Sequence, residues 1–336
     1  MIRPIGHYVV GPRSHGVISY AHSVLDAAIG IGTDHRLLRD RTPHPGRLAD
    51  AVECGLVHIH VTDKLFGRSP AAAQRNLLST MASLGRPVSV TFHDVPQPSD
   101  GPGLGPRAAF YAAVARQAVG VIVSSHHEAA LFAEFVDASI EVQVVPLMFD
   151  GARVQKPSLT RELTVGVLGF LYPGKGHLET LHAMADLDPS VGFLALGTPS
   201  PGHDHLVDDL GKVAADSGRS CEITGFLTDD ELRRRMAEVT VPVAYHRHMS
   251  ASGSINAWIS AGRRPLVPRT AYTLELNARS PGAVAMHPDD NDALRSAVTA
   301  AVASPEHTWI DSAVTTSPTA VEVAREYDRL LRRWSA

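Results

Sequence analysis

The chain has 336 residues, 44% hydrophobic and 20% charged, with a net charge of −4. That length predicts about two domains, each large enough for its own core, and the acidic balance with no Lys/Arg run excludes a nucleic-acid groove. Cys54 and Cys221 resemble no metal or redox pair, and no apolar run reaches the roughly 18 residues of a membrane span. The expectation is a reduced, cytoplasmic protein, with peripheral membrane contact left open through an amphipathic face.

Apolar runs at 5–10, 56–62, 87–92, 119–124 and 142–146 predict strands, and helical spacing at 16–28, 70–84, 106–118 and 125–135 predicts helices between them. Strands that read as apolar on both faces, in βα alternation, argue for a doubly wound parallel sheet. Residues 150–162 (DGARVQKPSLTRE) are polar, carry a proline and lack periodicity, so they read as a linker. A second βα series follows, with strands at 163–170, 191–197, 221–224, 239–245, 265–268 and 283–286. Its helices fall at 177–187, 203–216, 228–238, 254–261 and 290–303. Thr228 with Glu231 has capping-box spacing. Residues 319–334 predict an amphipathic helix bearing Val321, Val323, Tyr327, Leu330 and Leu331. Two Rossmann-like α/β domains of this kind imply a central cleft between the carboxyl ends of their sheets.

Several stretches carry chemistry. In TVGVLGFLYPGKGHLETLHAMA (164–185), an apolar strand runs into Gly169, Gly174 and Gly176 around Lys175, and a helix follows. A glycine turn brings amides close to a phosphate and the lysine neutralises charge. His177 stands where a P-loop needs Ser or Thr, and on these residues alone a tight turn with a solvated lysine serves equally well. A second glycine turn, Gly11-Pro-Arg13-Ser-His15-Gly16, enters the first helix and offers amides, Arg13 and His15 to a substrate or is a simple βα loop. Thr91-Phe-His93-Asp94 ends an internal strand, where this architecture places working residues, and the Pro/Gly loop 95–105 after it has the composition of a lid. His58 and His60 share one strand face and read as packing or cleft-lining groups. Eighteen histidines form no ligand cluster, so no metal is expected. Finally, YHRHMSASGSINAWISAGRRPLV (245–267) places Ser252, Gly253 and Ser254 at a helix start, a donor set for a diphosphate, with His246, Arg247 and His248 beside it.

In this order the motifs resemble the glycogen-synthase-like (group 1) retaining glycosyltransferases of the GT-B fold, over nearly the whole chain. GFLYPGKG (169–176) resembles the family's donor-phosphate loop. ITGFL (223–227) with Asp230-Glu231-Leu232 resembles its nucleotide-side step, and Ser252-Gly253-Ser254 through Gly262-Arg-Arg-Pro265 its phosphate-binding helix. Gly11–Val17, Thr91-Phe-His93, Val121–Ser125 and Val144-Val-Pro146 resemble its N-terminal landmarks. The resemblance implies an acceptor-side domain at 1–155 and a donor domain at 156–318, with the last helix (319–336) packing back on the first. It implies retaining transfer of a hexose-type sugar from a UDP- or GDP-sugar, without metal or separate cofactor, to a sugar, lipid or small-molecule acceptor. Lys175, Gly174, Ser252, Gly253 and Ser254 would hold the diphosphate, and Gly225, Phe226 and Leu227 would lie on the base side. His93 and Lys175 would be catalytic; Gly11, Arg13, His15 and Gly16 would face the acceptor. The family's loop arginine falls on Phe170, and its two glutamates fall on Met249 and Ala257. Those replacements motivate a second reading, a non-catalytic GT-B homologue that binds sugar nucleotides or glycans or serves as a partner subunit. A sugar-nucleotide epimerase would need acidic residues around the donor that the sequence does not assign. Nothing in the sequence sets the oligomeric state.

Overall fold

A computed structural model describes residues 3–40, 51, 53–150, 153–156, 162–247 and 249–336. Residues 151–152 and 157–161 of the expected linker, and His248, lie outside the described residues. The chain forms two compact units, Met1–Met148 with Pro318–Ala336, and Phe149–Ser317. The first break therefore precedes the boundary expected at 155, and the described part of the linker explains why. Phe149 packs into a core cluster with Ala244 and Ile255. The amide of Asp150 donates to Ser260 Oγ (3.1 Å) and that of Val154 to the carbonyl of Ala261 (3.0 Å), so this stretch is held by the second unit.

Unit 1 contains β1 (Ile5–Val10), α1 (Gly16–Gly30), β2 (His35–Asp40), β3 (Leu56–Val61), α2 (Asp63–Phe66), α3 (Pro70–Ser83), β4 (Val88–Phe92), α4 (Leu104–Gln117), β5 (Gly120–Val123), α5 (His126–Phe135) and β6 (Val142–Val144). Its parallel sheet has the order β2-β1-β3-β4-β5-β6, so the chain direction across the sheet reverses between β1 and β3. Unit 2 contains β7 (Thr164–Leu168), α6 (His177–Ala183), β8 (Gly192–Leu196), α7 (His205–Asp216), β9 (Cys221–Ile223), α8 (Asp229–Glu238), β10 (Val241–Val243), α9 (Gly253–Ser260), β11 (Leu266–Pro268), α10 (Ala271–Arg279), β12 (Ala285–His287) and α11 (Asn291–Ala303). Its order, β12-β11-β10-β7-β8-β9, reverses between β7 and β10. In open α/β sheets ligands bind beyond the strand carboxyl ends at such a reversal.

The chain then re-enters unit 1 as α12 (Ala320–Ser335). Thr319 and Glu322 close a capping box at its start: Glu322 accepts from the Thr319 amide (2.7 Å) while Thr319 Oγ1 accepts from the Glu322 amide (3.3 Å). Val323, Tyr327, Leu330 and Leu331 fall on one helix face and join Val24, Leu56 and Ile122 in a buried cluster. The opposite sheet face packs Leu77, Met81, Phe110, Val114 and Phe132 from α3, α4 and α5.

The strands of unit 1 are not apolar on both faces. In β3, Val57, Ile59 and Val61 face the aliphatic cluster, whereas Leu56, His58 and His60 point the other way, as the strand period of two requires. In β4, Ser89 and Thr91 likewise alternate with Val88, Val90 and Phe92. The face toward α12 thus holds a buried polar layer. β2 (HRLLRD) is an edge strand with Leu38 buried and Leu37 exposed, which hides it from an apolar-run search. Loop 95–105 is folded into a 3₁₀ segment, Pro98–Gly103, and pinned by Asp100, which accepts from Arg107 Nη1 (2.5 Å) and from the Gln97 amide (3.0 Å). Among the described residues no helix is long and apolar enough to cross a membrane.

Candidate functional site

At the reversal point of unit 2, β7 ends in a loop whose Gly169, Gly174 and Gly176 all take positive φ (122°, 86° and 94°). At Gly169 a side chain would meet Lys175 Cε at 2.8 Å, and at Gly176 it would run into the backbone carbonyl of Tyr245. Glycine is therefore demanded twice, once by dihedral and once by the close approach of the loop to the end of β10. The amide of Arg247 donates to the Gly174 carbonyl (3.0 Å), which ties the same two segments together. This folding aims Lys175 inward: its side chain is nearly covered (8% exposed) and Nζ donates to Ser254 Oγ at 3.0 Å.

Ser254 belongs to the N-terminal turn of α9. Ser252 is the N-cap and accepts from the Ile255 amide (3.3 Å), leaving the Gly253 and Ser254 amides at the helix end without intrahelical acceptors. The two serine hydroxyls lie 3.1 Å apart, and His246 touches both, Nδ1 to Ser252 at 3.3 Å and Nε2 to Ser254 at 3.4 Å. His177, the first residue of α6, is buried with both ring nitrogens unpartnered. No carboxylate among the described residues lies within 4 Å of Lys175. Burial holds the lysine down to about 7 and, with Lys175 beside it, His177 at about 3; His246 is displaced downward by burial, Lys175 and His177.

The expected donor residues Lys175, Gly174, Ser252, Gly253 and Ser254 are thus brought together. Gly225, Phe226 and Leu227 sit at the end of β9, with β8 between β9 and β7; Gly225 has φ 71°, Phe226 is 67% exposed, and Leu227 packs partly against a buried cluster with Met236 and Trp258. Phe170 and Tyr172 are exposed in the same loop, with Lys175 Nζ 5.9 Å from the Tyr172 centroid. Met249 is buried in an apolar cluster and Ala257 packs against Trp258, so neither position offers an acceptor for a sugar or ribose hydroxyl.

Unit 1 carries the other expected residues at its own reversal point. Gly11 (φ 112°) follows β1, Arg13 is exposed and 3.9 Å from Asp26, His15 caps α1 by accepting from the Val17 amide (3.3 Å), and Gly16 is the first helical residue. His93, half-buried after β4, has Nε2 3.0 Å from His60 Nδ1, and Tyr20 lies edge-on to both rings. Burial and His15 push His93 down to about 3, so it is a neutral hydrogen-bonding group rather than a cation. His58 lies within 2.9 Å of both Ser89 and Thr91, and Thr91 meets Tyr327 OH at 2.9 Å. His7 and His35 extend the layer to Asp328 (2.9 and 3.0 Å). Among the described residues no three His, Cys, Asp or Glu side chains are placed to hold a metal ion. The His-x-His alternation was the visible sign of this network; the Ser89, Thr91 and Tyr327 partners had none.

No known family model matches the sequence, and no curated relative is found. Solved structures do match. HepE from Anabaena, in complex with UDP and glucose, superposes with a TM-score of 0.70 at 15% identity, over 98% of this chain and 100% of that one. The fold is GT-B. Sucrose-phosphate synthase from Thermosynechococcus elongatus matches at 0.67 and 15% identity over 99% and 95% of the two chains. AviGT4, a glycosyltransferase of avilamycin A biosynthesis, matches at 0.59 and 15% over 99% and 98%. The GT-B arrangement of two six-stranded parallel sheets accounts for both reversal points described above.

Proposed function

We propose that the chain is a glycosyltransferase that moves a sugar from a nucleoside-diphosphate sugar to an acceptor hydroxyl, with unit 2 holding the donor. The observation that carries this reading is Lys175, a buried amine at the sheet reversal whose bonded partner is a hydroxyl and which, among the described residues, has no carboxylate within reach. A buried cation is costly unless paired, so the site is built for an anion from outside the chain. A diphosphate fits the span from Lys175 to the serine hydroxyls and free amides of α9, and HepE, of the same fold, has been solved with UDP and with UDP-glucose. As the glycosidic C–O bond breaks, negative charge gathers on the leaving diphosphate, and these donors offset it without a metal. Retention of configuration, a hexosyl donor, UDP or GDP as the nucleotide, and the roles of His93 and of Gly11, Arg13, His15 and Gly16 toward sugar and acceptor belong to the same proposal.

A second reading, a GT-B protein that binds sugar nucleotide without turnover, is favoured by the apolar Met249 and Ala257. Titration of UDP and GDP, paired with donor hydrolysis across UDP- and GDP-sugars, separates the two. Binding with hydrolysis or transfer supports the transferase, binding without turnover on any donor supports the second reading, and absence of binding refutes both.

A further inference from the structure

Lys175, His177 and His246 crowd one buried nook, and among the described residues the groups that meet them are the Ser252 and Ser254 hydroxyls, one another and, at 5.9 Å from Lys175 Nζ, the Tyr172 ring. His246 comes from the segment after β10, Lys175 from the loop after β7, His177 from α6, and Ser252 and Ser254 from α9. Among the described residues the charged or titratable groups acting on His246 are Lys175 and His177, and Lys175 is lowered by burial. Arg247, beside His246, is half exposed and directed to Glu179 at 3.6 Å. Three basic groups so placed cannot all be charged while the nook is empty, because each proton adds both desolvation cost and repulsion. An entering phosphate reverses both terms.

We propose that Lys175 is largely uncharged in the empty site and takes up a proton as the diphosphate docks, so that nucleotide binding is proton-coupled. The inference rests on the donor reading above and adds a regulation to it: the site loads well near neutrality and loses its hold as pH rises. The buried lysine value of about 7 agrees with this direction. Above that value each bound nucleotide must draw one proton from solvent, so affinity falls about tenfold per pH unit.

The test is calorimetric titration of UDP and of GDP into the intact chain near pH 8, where the free nucleotides carry no titrating proton, in HEPES and in Tris. Expected are a buffer-dependent binding heat, corresponding to uptake of about one proton, and an affinity about tenfold lower at pH 9 than at pH 8. Lys175→Arg, whose guanidinium stays charged, should bind with no proton uptake and a flat profile; Lys175→Met should bind weakly and also show none. A heat independent of buffer, with wild-type affinity unchanged between pH 7 and pH 9, overturns the proton coupling while leaving the donor reading intact. No binding of either nucleotide at pH 7 overturns both.

Discussion

Acidification should unfold unit 1 through its buried histidine layer. His58 is fully buried and pushed down to about 3 by burial and its neighbours His35 and His93; His93 is held at about 3 by burial and His15. When the chain unfolds both return to the ordinary value of 6.5 and bind protons that the native state refuses. Their contribution is thus intact above pH 6.5 and is lost progressively as pH falls from 6.5 toward 3. At about pH 5.5 each costs about 1.4 kcal/mol, so the pair removes about 3 kcal/mol. His7 and His60, lowered by burial first and then by neighbouring imidazoles, act in the same direction. For a domain of this size that loss corresponds to a fall in Tm of about 6–12 °C. Thermal unfolding followed by circular dichroism between about pH 7.5 and pH 5.5 measures it. His58→Asn should be less stable at the upper pH yet show a shallower pH slope. Identical Tm values across that range, or an unchanged slope in the variant, would refute the argument.

Other outcomes follow from single contacts. Gly176→Ala forces a side chain into the left-handed region and against the Tyr245 carbonyl, and should weaken UDP or GDP binding about tenfold by titration. His93→Ala should lower turnover about a hundredfold while leaving nucleotide affinity near wild type; equal losses in both would return His93 to a packing role. Arg263 is fully buried, stacks 4.0 Å from the Trp309 ring and donates to the carbonyls of Met236 and Val239 (2.6 Å each) and Thr240 (3.0 Å). Arg263→Met leaves those acceptors bare and should destabilise unit 2 by about 3 kcal/mol or more, read from the urea midpoint. Gly120→Ala runs into the Trp334 ring and should cost about 1–3 kcal/mol, with a red-shifted tryptophan emission as the ring leaves the sheet.

Periodicity revealed most of the framework because both sheets are parallel and their strands are buried, so apolar runs stand out from helical ones. β1 is predicted over its observed span, and the Thr228–Glu231 capping box forms as its spacing requires. β2 escaped because HRLLRD surrounds two leucines with charged and polar residues and leaves Leu37 exposed, and α10 escaped because its capping box uses Thr270 with Thr273 rather than an acidic residue. The donor nook was legible where it depends on local backbone rules, namely the loop glycines and the serine N-cap. It was not legible where it depends on tertiary meeting: the tie of the Arg247 amide to the Gly174 carbonyl, and the burial of His177, bring together segments far apart in sequence. The polar layer under α12 was hidden for the same reason, since Ser89 and Thr91 acquire meaning only beside His58 and Tyr327.

The return of α12 to unit 1 has a consequence for how the chain is made. Unit 2 is one uninterrupted stretch, Phe149–Ser317, with every strand of its sheet inside it. Unit 1 is begun first on the ribosome yet is finished last, because the helix that covers Val24, Leu56 and Ile122 emerges only after unit 2 has been translated. Throughout that interval a sheet face of mixed character, Leu56 and Ile122 beside His58 and Thr91, stands open to solvent and to chaperones without Tyr327. A chain terminated before Pro318 would carry all of unit 2 but a unit 1 without α12.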